Sequence, residues 1–517
     1  MMKFIRKNLI WLVLIIILLA AAAKIFFLPQ RDIVQLDSGP ISGKTEDGIR
    51  TFLGIPFAAP PVGELRWQPP QPAKPWKKVR ACTKMGPACP QPNYLAVGPT
   101  DEDCLYLNVW IPAKGPDKKL PVMVFIHGGA FTVGSAAEKD YNGANLAKKG
   151  VVVVTLNYRL GPFGFLSHPL LSQESPYGAS GNYGLMDQNA ALKWVNRNIS
   201  SFGGDPNNVT IFGESAGSVS VAMQLIMPMS KGLFQRAIAE SGGPYGLAYL
   251  FPQADGSMAK ALKMGESFSQ ALKADTLKEM RSKTSEEILA AFDFSLTPIS
   301  KGMKFGPVVD NYVIPDEPKK LYQQGKQAKV KVIIGSNADE GNIFYKPLSL
   351  KQYQWLVKSI FKANSDKVLT MFPASTDKDV RSAYNKLITA AMFSEPARFV
   401  VRSQRKKGIK AYLYKFTRVP NTKKGKELGA FHSVELPYVF GHLNKADGYT
   451  EDDLKLSRAI MGYWTNFAKT GDPNGAGLPL WPIYNAGTDK NLEFGNRIKV
   501  DRHLLKDECD LIDSLVL

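Results

Sequence analysis

The sequence predicts an α/β protein built on a doubly wound, largely parallel sheet. Three observations carry this prediction. Leu120–Ile126 and Val151–Leu156 are continuous, almost wholly apolar runs of strand length and Val209–Phe212 is a row of β-formers, the pattern of strands buried on both faces. Helix-compatible segments, Tyr141–Lys149 and Leu185–Asn198, alternate with them, as crossovers between parallel strands require. Finally, Val209–Phe212 runs directly into Gly213-Glu214-Ser215-Ala216-Gly217 and then into a helix-forming stretch, Ser218–Ile226.

That last stretch also carries the main chemical signal. Strand, Gly-x-Ser-x-Gly, helix is the context of a nucleophile elbow. The serine occupies a turn too sharp for ordinary backbone angles, so its flanking positions must lack a bulky Cβ. With 44 glycines in the chain a bare match means little; the strand on one side and the helix on the other single out Ser215.

The remaining elements follow in order. Val34 to Pro60 reads as short strands and turns, and the proline-rich Pro56–Pro75 can be neither helix nor central strand, so it should cross the surface. Cys104–Trp110 alternates like a strand, and Ala237–Ser241 is another. Residues 255–305 read as a helical insertion, with helices at Met258–Ala271 and Leu277–Phe292. Strands return at Val330–Gly335 and Lys410–Phe416. Asp452–Lys469 is a helix capped by Thr450 and ended by Gly471 and Pro473; the C-terminal tail is mixed.

At 517 residues, 44% hydrophobic and 21% charged, without repeats, the chain is an ordinary globular one. Its formal charge of +19 reads as a solvated basic surface, compatible with anionic lipid. No recognised nucleic-acid-binding motif accompanies the charge, so no nucleic-acid partner is expected. Residues 1–30 stand apart. Lys3, Arg6 and Lys7 precede an apolar run, Leu9–Ala23, that places the N-terminus in the cytosol and sends the body across the membrane. Ala20–Ala23 offers a signal-peptidase site; the alternative is a retained anchor over residues 9–28, favoured by the apolar Ile25–Leu28 beyond the cut. Either way residues 31–517 form an exported body, periplasmic or extracellular. In that oxidising setting Cys89 and Cys104 can close a loop, leaving Cys82 and Cys509 free or paired together; no zinc-like spacing with histidine is present.

A serine nucleophile needs a base, an orienting acid and an oxyanion hole. Of five histidines, His432 fits best, lying after the Lys410–Phe416 strand in a late loop. His442 is second, and His503 has no buried strand before it. His127 and His168 precede the nucleophile and fail on chain order. The acid should follow a strand between Ser215 and the base, and Asp339 and Glu340 both do; neighbouring carboxylates point differently, and pattern alone does not choose. His127-Gly128-Gly129-Ala130-Phe131 follows the Leu120–Ile126 strand, where glycines bring backbone N–H groups toward developing negative charge, and the N–H of Ala216 would complete the set.

These segments resemble the type-B carboxylesterase/lipase family of the α/β-hydrolase superfamily, the group that includes the cholinesterases. The resemblance runs from about Leu53 to Pro482. It rests on Gly54-Ile-Pro-Phe-Ala, Glu102-Asp-Cys-Leu-Tyr-Leu-Asn108, His127-Gly-Gly-Ala-Phe, Asn157-Tyr-Arg-Leu-Gly-Pro-Phe-Gly-Phe and Gly181-Asn-Tyr-Gly-Leu-Met-Asp-Gln188. The elbow, Asp339-Glu-Gly and Trp464-Thr-Asn-Phe-Ala-Lys-Thr-Gly-Asp-Pro complete it. It implies an α/β-hydrolase fold, a mostly parallel central sheet with helices on both faces and helical insertions. It also implies a triad of Ser215, Glu340 and His432, an oxyanion hole of Gly129, Ala130 and Ala216, and no metal or cofactor. Further implications are a Cys89–Cys104 disulfide and buried ion pairs Arg66–Glu102 and Arg159–Asp187. Ala130 departs from the third glycine of many members but keeps its N–H.

The expected activity is hydrolysis of a small-molecule ester through an acyl-enzyme. The rivals are acyl transfer by the same triad and a catalytically silent adhesion relative, the latter disfavoured because no triad member is missing. Cholinesterase specificity is disfavoured too: no tryptophan lies between Cys89 and Cys104 to hold a cation.

Overall fold

The computed structural model describes residues 33–92, 96–114, 118–246, 257–292 and 303–515. The leader or anchor expected at the N-terminus lies outside them. Among the described residues no helix is long and apolar enough to cross a membrane.

The first strands are β1 (Ile33–Gln35), β2 (Pro40–Ser42), β3 (Lys44–Glu46), β4 (Ile49–Pro56) and β5 (Arg80–Ala81). Then come β6 (Tyr106–Pro112), β7 (Leu120–Ile126), β8 (Val152–Leu156), β9 (Gly204–Glu214) and β10 (Arg236–Glu240). The last are β11 (Lys331–Asn337), β12 (Ala411–Phe416), β13 (Lys490–Phe494) and β14 (Ile498–Arg502). A small sheet joins β1, β2 and β5; the main one has eleven strands in the order β14-β13-β12-β11-β10-β9-β7-β8-β6-β4-β3. From β8 to β13 all neighbours pair parallel, and antiparallel strands close both edges.

The unbroken apolar runs are explained by the pleat. Along β7, Val122, Val124 and Ile126 face one core while Met123 and Phe125 face the other; Ile333 of β11 likewise opposes Val332 and Ile334. Helices cover both faces. α1 (Tyr183–Asn198), α2 (Ala216–Gln224) and α3 (Glu395–Lys406) put Leu192, Val219 and Val400 into the first core, and α4 (Glu451–Thr470) puts Ile460, Tyr463 and Phe467 into the second. α4 starts and stops as its sequence signals: Thr450 and Asp453 form a capping box, and Gly471 takes the left-handed conformation at φ 73°.

Two helices are shorter than their periodicity suggests. Tyr141–Lys149 shrinks to a 3-10 turn, Lys139–Tyr141, and one helical turn, Ala144–Ala147. Gly143 breaks it, packed so tightly that a Cβ there would meet Val153 at 2.6 Å and Trp110 at 3.0 Å. Leu277–Phe292 splits into Leu277–Ser282 and Ser285–Ala290 because Thr284 and Glu287 form a second capping box inside the run. Residues 345–395 build their own helical cluster from Leu350–Phe361 and Asp377–Ile388, with a π-helical turn at Thr389–Ser394. The mixed tail resolves into the β13–β14 hairpin and a helix at Lys506–Leu515.

The implied ion pairs are present, buried and bidentate. Arg66 donates to Glu102 at 2.7 and 2.5 Å, and Arg159 to Asp187 at 2.8 and 2.7 Å. Arg66 also donates to the carbonyls of Arg281 and Lys283, tying the helical insertion to the proline-rich strap. Cys89 and Cys104 are bonded with a sequence separation of 15, while Cys82 and Cys509 are free and buried, so the two do not pair with each other. A loop of that length restricts the unfolded chain by about 3 kcal/mol. Replacing both bonded cysteines with serine is therefore expected to lower the thermal midpoint by about 3 °C for a chain of this size. An unchanged midpoint in scanning calorimetry would refute that contribution.

Candidate active site

Ser215 stands where β9 breaks into α2, at φ 57° and ψ −122°. This is a strained backbone for a residue with a Cβ, and the site's first sign of function. The flanking glycines make the turn fit under β7. A Cβ on Gly213 would approach Ile126 O to 2.7 Å, and one on Gly217 would reach the same oxygen at 2.0 Å. No other residue type fits at Gly217 without moving β7.

The parallel sheet brings the other groups to the same edge. β11 ends in the turn that holds Glu340, and the loop after β12 holds His432. His432 Nε2 lies 2.7 Å from Ser215 Oγ, and His432 Nδ1 lies 2.6 Å from Glu340 Oε2. Glu340 is wholly buried, and its other oxygen accepts from the N–H of Asn337 at 2.6 Å. An imidazole so placed can take the hydroxyl proton while a carboxylate fixes its tautomer.

The two adjacent acids, which pattern alone left open, part ways. Asp339 points away from the imidazole: its oxygens accept from Ala430 N–H at 2.9 Å and from the Asn385 amide at 3.0 Å. It pins the loop that carries the histidine. The other histidines are accounted for as well. His127 is buried, stacked on Tyr158 at 4.4 Å, and burial holds its imidazole down at about 4. His168 accepts from Leu170 N–H to cap a short helix, His442 meets Asn142 O at the pocket rim, and His503 lies beside Asp489.

Gly129, Ala130 and Phe131 all have positive φ, 101°, 52° and 60°. This curl follows the C-terminal end of β7, next to the elbow. Among the described residues the N–H groups of Gly129, Ala130 and Ala216 find no acceptor. Gly128 must be glycine, since a Cβ would crowd Glu214 at 2.8 Å and Ser215 at 3.1 Å. A cavity of about 790 Å³ opens over these groups, with Tyr141, Phe344, Phe431 and Tyr449 among its walls.

Several groups around the base were not singled out from the sequence. Glu214 Oε1 lies 3.1 Å from His432 Nε2, out of line for a hydrogen bond and without another partner among the described residues. Glu435 accepts from Asn337 and from Ser241, and Glu240 accepts from the Trp464 indole at 2.8 Å. Phe344 and Phe393 flank the imidazole at 5.3 and 4.9 Å between ring centres. Glu214 sits inside the elbow motif and Glu435 three residues past His432, but nothing local says that they meet. Burial pushes the carboxyls of Glu214, Glu435 and Glu240 upward. Burial pulls His432 down, but the carboxylates of Glu214 and Glu340 outweigh it and raise the imidazole. Among the described residues no cluster of His, Cys, Asp and Glu has the geometry to hold a metal.

The chain is similar to known proteins over most of its length. The carboxylesterase family model matches residues 30–512. The chain is 38% identical over 494 residues to the para-nitrobenzyl esterase of Bacillus subtilis (strain 168), covering 91% of this chain and 96% of that one. It is 37% identical over 477 residues to a fumonisin B1 esterase of Sphingopyxis macrogoltabida, covering 89% and 86%. A solved PNB esterase superposes with a TM-score of 0.81 at 35% identity, over 93% of this chain and 100% of that one. The strand order, the helices on both faces and these matches make the fold an α/β-hydrolase fold, and the chain belongs to the carboxylesterase family of serine ester hydrolases.

Proposed function

We propose that this carboxylesterase works through an acyl-enzyme formed on Ser215, with His432 as general base and Glu340 as its orienting acid. One observation carries the reading: the unbroken relay from Oγ to Nε2 at 2.7 Å and from Nδ1 to Oε2 at 2.6 Å. Ser215 Oγ attacks the ester carbonyl as His432 takes its proton. The oxyanion forms against the N–H groups of Gly129, Ala130 and Ala216, each worth about 2.7–4 kcal/mol in such holes. His432 protonates the departing alcohol, then activates water to release the acid. Short to medium acyl esters suit a cavity of about 790 Å³ with both polar and aromatic walls. A p-nitrophenyl ester series of increasing chain length tests this, alongside a fluorophosphonate label located by mass spectrometry. Label on a residue other than Ser215 would refute the assignment.

Protonation sets the pH dependence. The base works only when neutral, and nearby carboxylates raise His432, so kcat/KM falls as pH drops through that raised value. Glu214→Gln removes an anion that favours the imidazolium. The acid limb of the profile is then expected to move down by about one pH unit. A limb that stays in place would show that Glu214 does not act on the base.

We also infer that residues 31–517 form a single catalytic domain, exported behind the N-terminal segment and retained on the membrane by residues 9–28. The disulfide and the cation-flanked apolar run support this. Mass determination of the mature protein distinguishes a retained segment from a cleaved one.

A further inference from the structure

Because the strands from β8 to β13 run parallel, the loops entering them open at one end of the sheet and the catalytic loops at the other. The entry end is basic. Lys469 donates to Lys149 O at 2.6 Å, which places two ammonium-bearing residues side by side ahead of β8. Arg236 and Lys331 begin β10 and β11 in direct register, and Lys410 enters β12 next to them. Lys329 and Lys407 stand in the adjoining loops. None of these seven is ion-paired among the described residues. The crowding is electrostatic as well as geometric. Burial and then Arg236 and Lys410 pull the Lys331 amine down, burial and Lys149 do so at Lys469, and burial and Lys329 at Lys407. Among the described residues the counter-charges are sparse: Asp205 at the start of β9, and Asp472 near Lys331. Six strands at about 4.8 Å spacing make this face ~24 Å wide.

Concentrating unpaired like charge on one face opposes folding and favours an anionic partner. The path of the chain says which one. Asp37 accepts from Arg197 at 2.8 Å, and its N–H donates to the Asn198 side chain at 2.9 Å; both partners end α1, just ahead of β9 and at the same basic end. The described chain thus begins, at Ile33, beside the basic face, and the apolar Leu9–Ala23 run lies only ten residues upstream in sequence. We propose that the strand-entry face docks on an anionic bilayer surface and holds the ester pocket, at the opposite end, away from it. An RNA or another polyanion would lack the neighbouring apolar segment as a reason to sit there.

Each cation near an anionic surface strengthens partitioning about fivefold, and salt weakens it over a Debye length of about 8 Å. The test is co-sedimentation of the full chain with neutral phosphatidylcholine vesicles and with vesicles containing phosphatidylglycerol, so that any apolar insertion contributes to both. Expected is tighter binding to the anionic vesicles, an increment that added salt removes. The exposed-site variant K149E/K329E/K410E should lose at least about 100-fold of that increment, about fivefold for each cation removed and more for the charge reversal, while keeping phosphatidylcholine binding, thermal midpoint and ester hydrolysis in solution. The matched variant K351E/K358E/K362E, on the helix Leu350–Phe361 and its cap, should keep the increment. Equal binding to both vesicle types, an increment that survives in K149E/K329E/K410E, or loss of it in the matched variant overturns the proposal. So does preferential binding of an RNA oligonucleotide that the anionic vesicles fail to displace.

Discussion

Replacing Ser215 with alanine is expected to lower kcat on a p-nitrophenyl ester by about 10⁶-fold, the loss seen when the nucleophile of a cooperating triad is removed. The substitution deletes one oxygen and keeps the Cβ, so the strained turn at φ 57° and the glycine contacts beneath it remain as they are. The thermal midpoint should therefore move little. What activity persists comes from the oxyanion donors and from binding, which still exceed water by about 10³-fold. The intact enzyme should release one equivalent of p-nitrophenol in a burst before steady turnover. Activity within tenfold of wild type in the alanine variant, measured on protein shown free of wild-type contamination, would end the assignment.

Adjacent carboxylates provide the second large effect, because residues 339 and 340 have opposite duties. Glu340→Gln keeps the shape but removes the anion facing His432 Nδ1, leaving the tautomer of the imidazole unset; kcat should fall about 10⁴-fold with folding nearly unchanged. Asp339→Asn leaves the relay untouched. It weakens acceptors for Ala430 N–H and the Asn385 amide, which hold the histidine loop, so it should cost about 1–3 kcal/mol of stability. At temperatures where the variant is folded, its kcat should stay within tenfold of wild type. If the two substitutions exchanged these signatures, the roles read from the geometry would be reversed.

How much of this was legible beforehand depended on range. β7, β8 and the second half of β9 announced themselves because both faces are buried, so their residues there are almost all apolar. The elbow was legible because its steric demand is local: two glycines must clear one carbonyl, Ile126 O. Chain order alone favoured His432, but choosing Glu340 over Asp339 took the family resemblance, since the turn geometry that separates them is set by Asn337, Ala430 and Asn385 from three different segments. The acids around the base were hidden for the same reason. Glu214 and Glu240 are brought side by side by the pairing of β9 with β10, and Glu435 reaches them from the loop after β12 through Ser241 and Asn337. Helix ends misled where a second start signal, Thr284, or a crowded glycine, Gly143, interrupted a continuous periodicity.

The unpaired thiols have a practical consequence. Cys82 is 1% exposed and burial pushes it up to about 11, and Cys509 lies on the buried face of the C-terminal helix and is raised further. Neither yields appreciable thiolate at pH 8, so both resist disulfide exchange and alkylation in the native state. Modification by iodoacetamide then requires the surrounding segment to open, and its rate at each position times that opening. The molecule carries two built-in stopwatches, one just after β5 and one on the C-terminal helix, readable peptide by peptide without any engineered label.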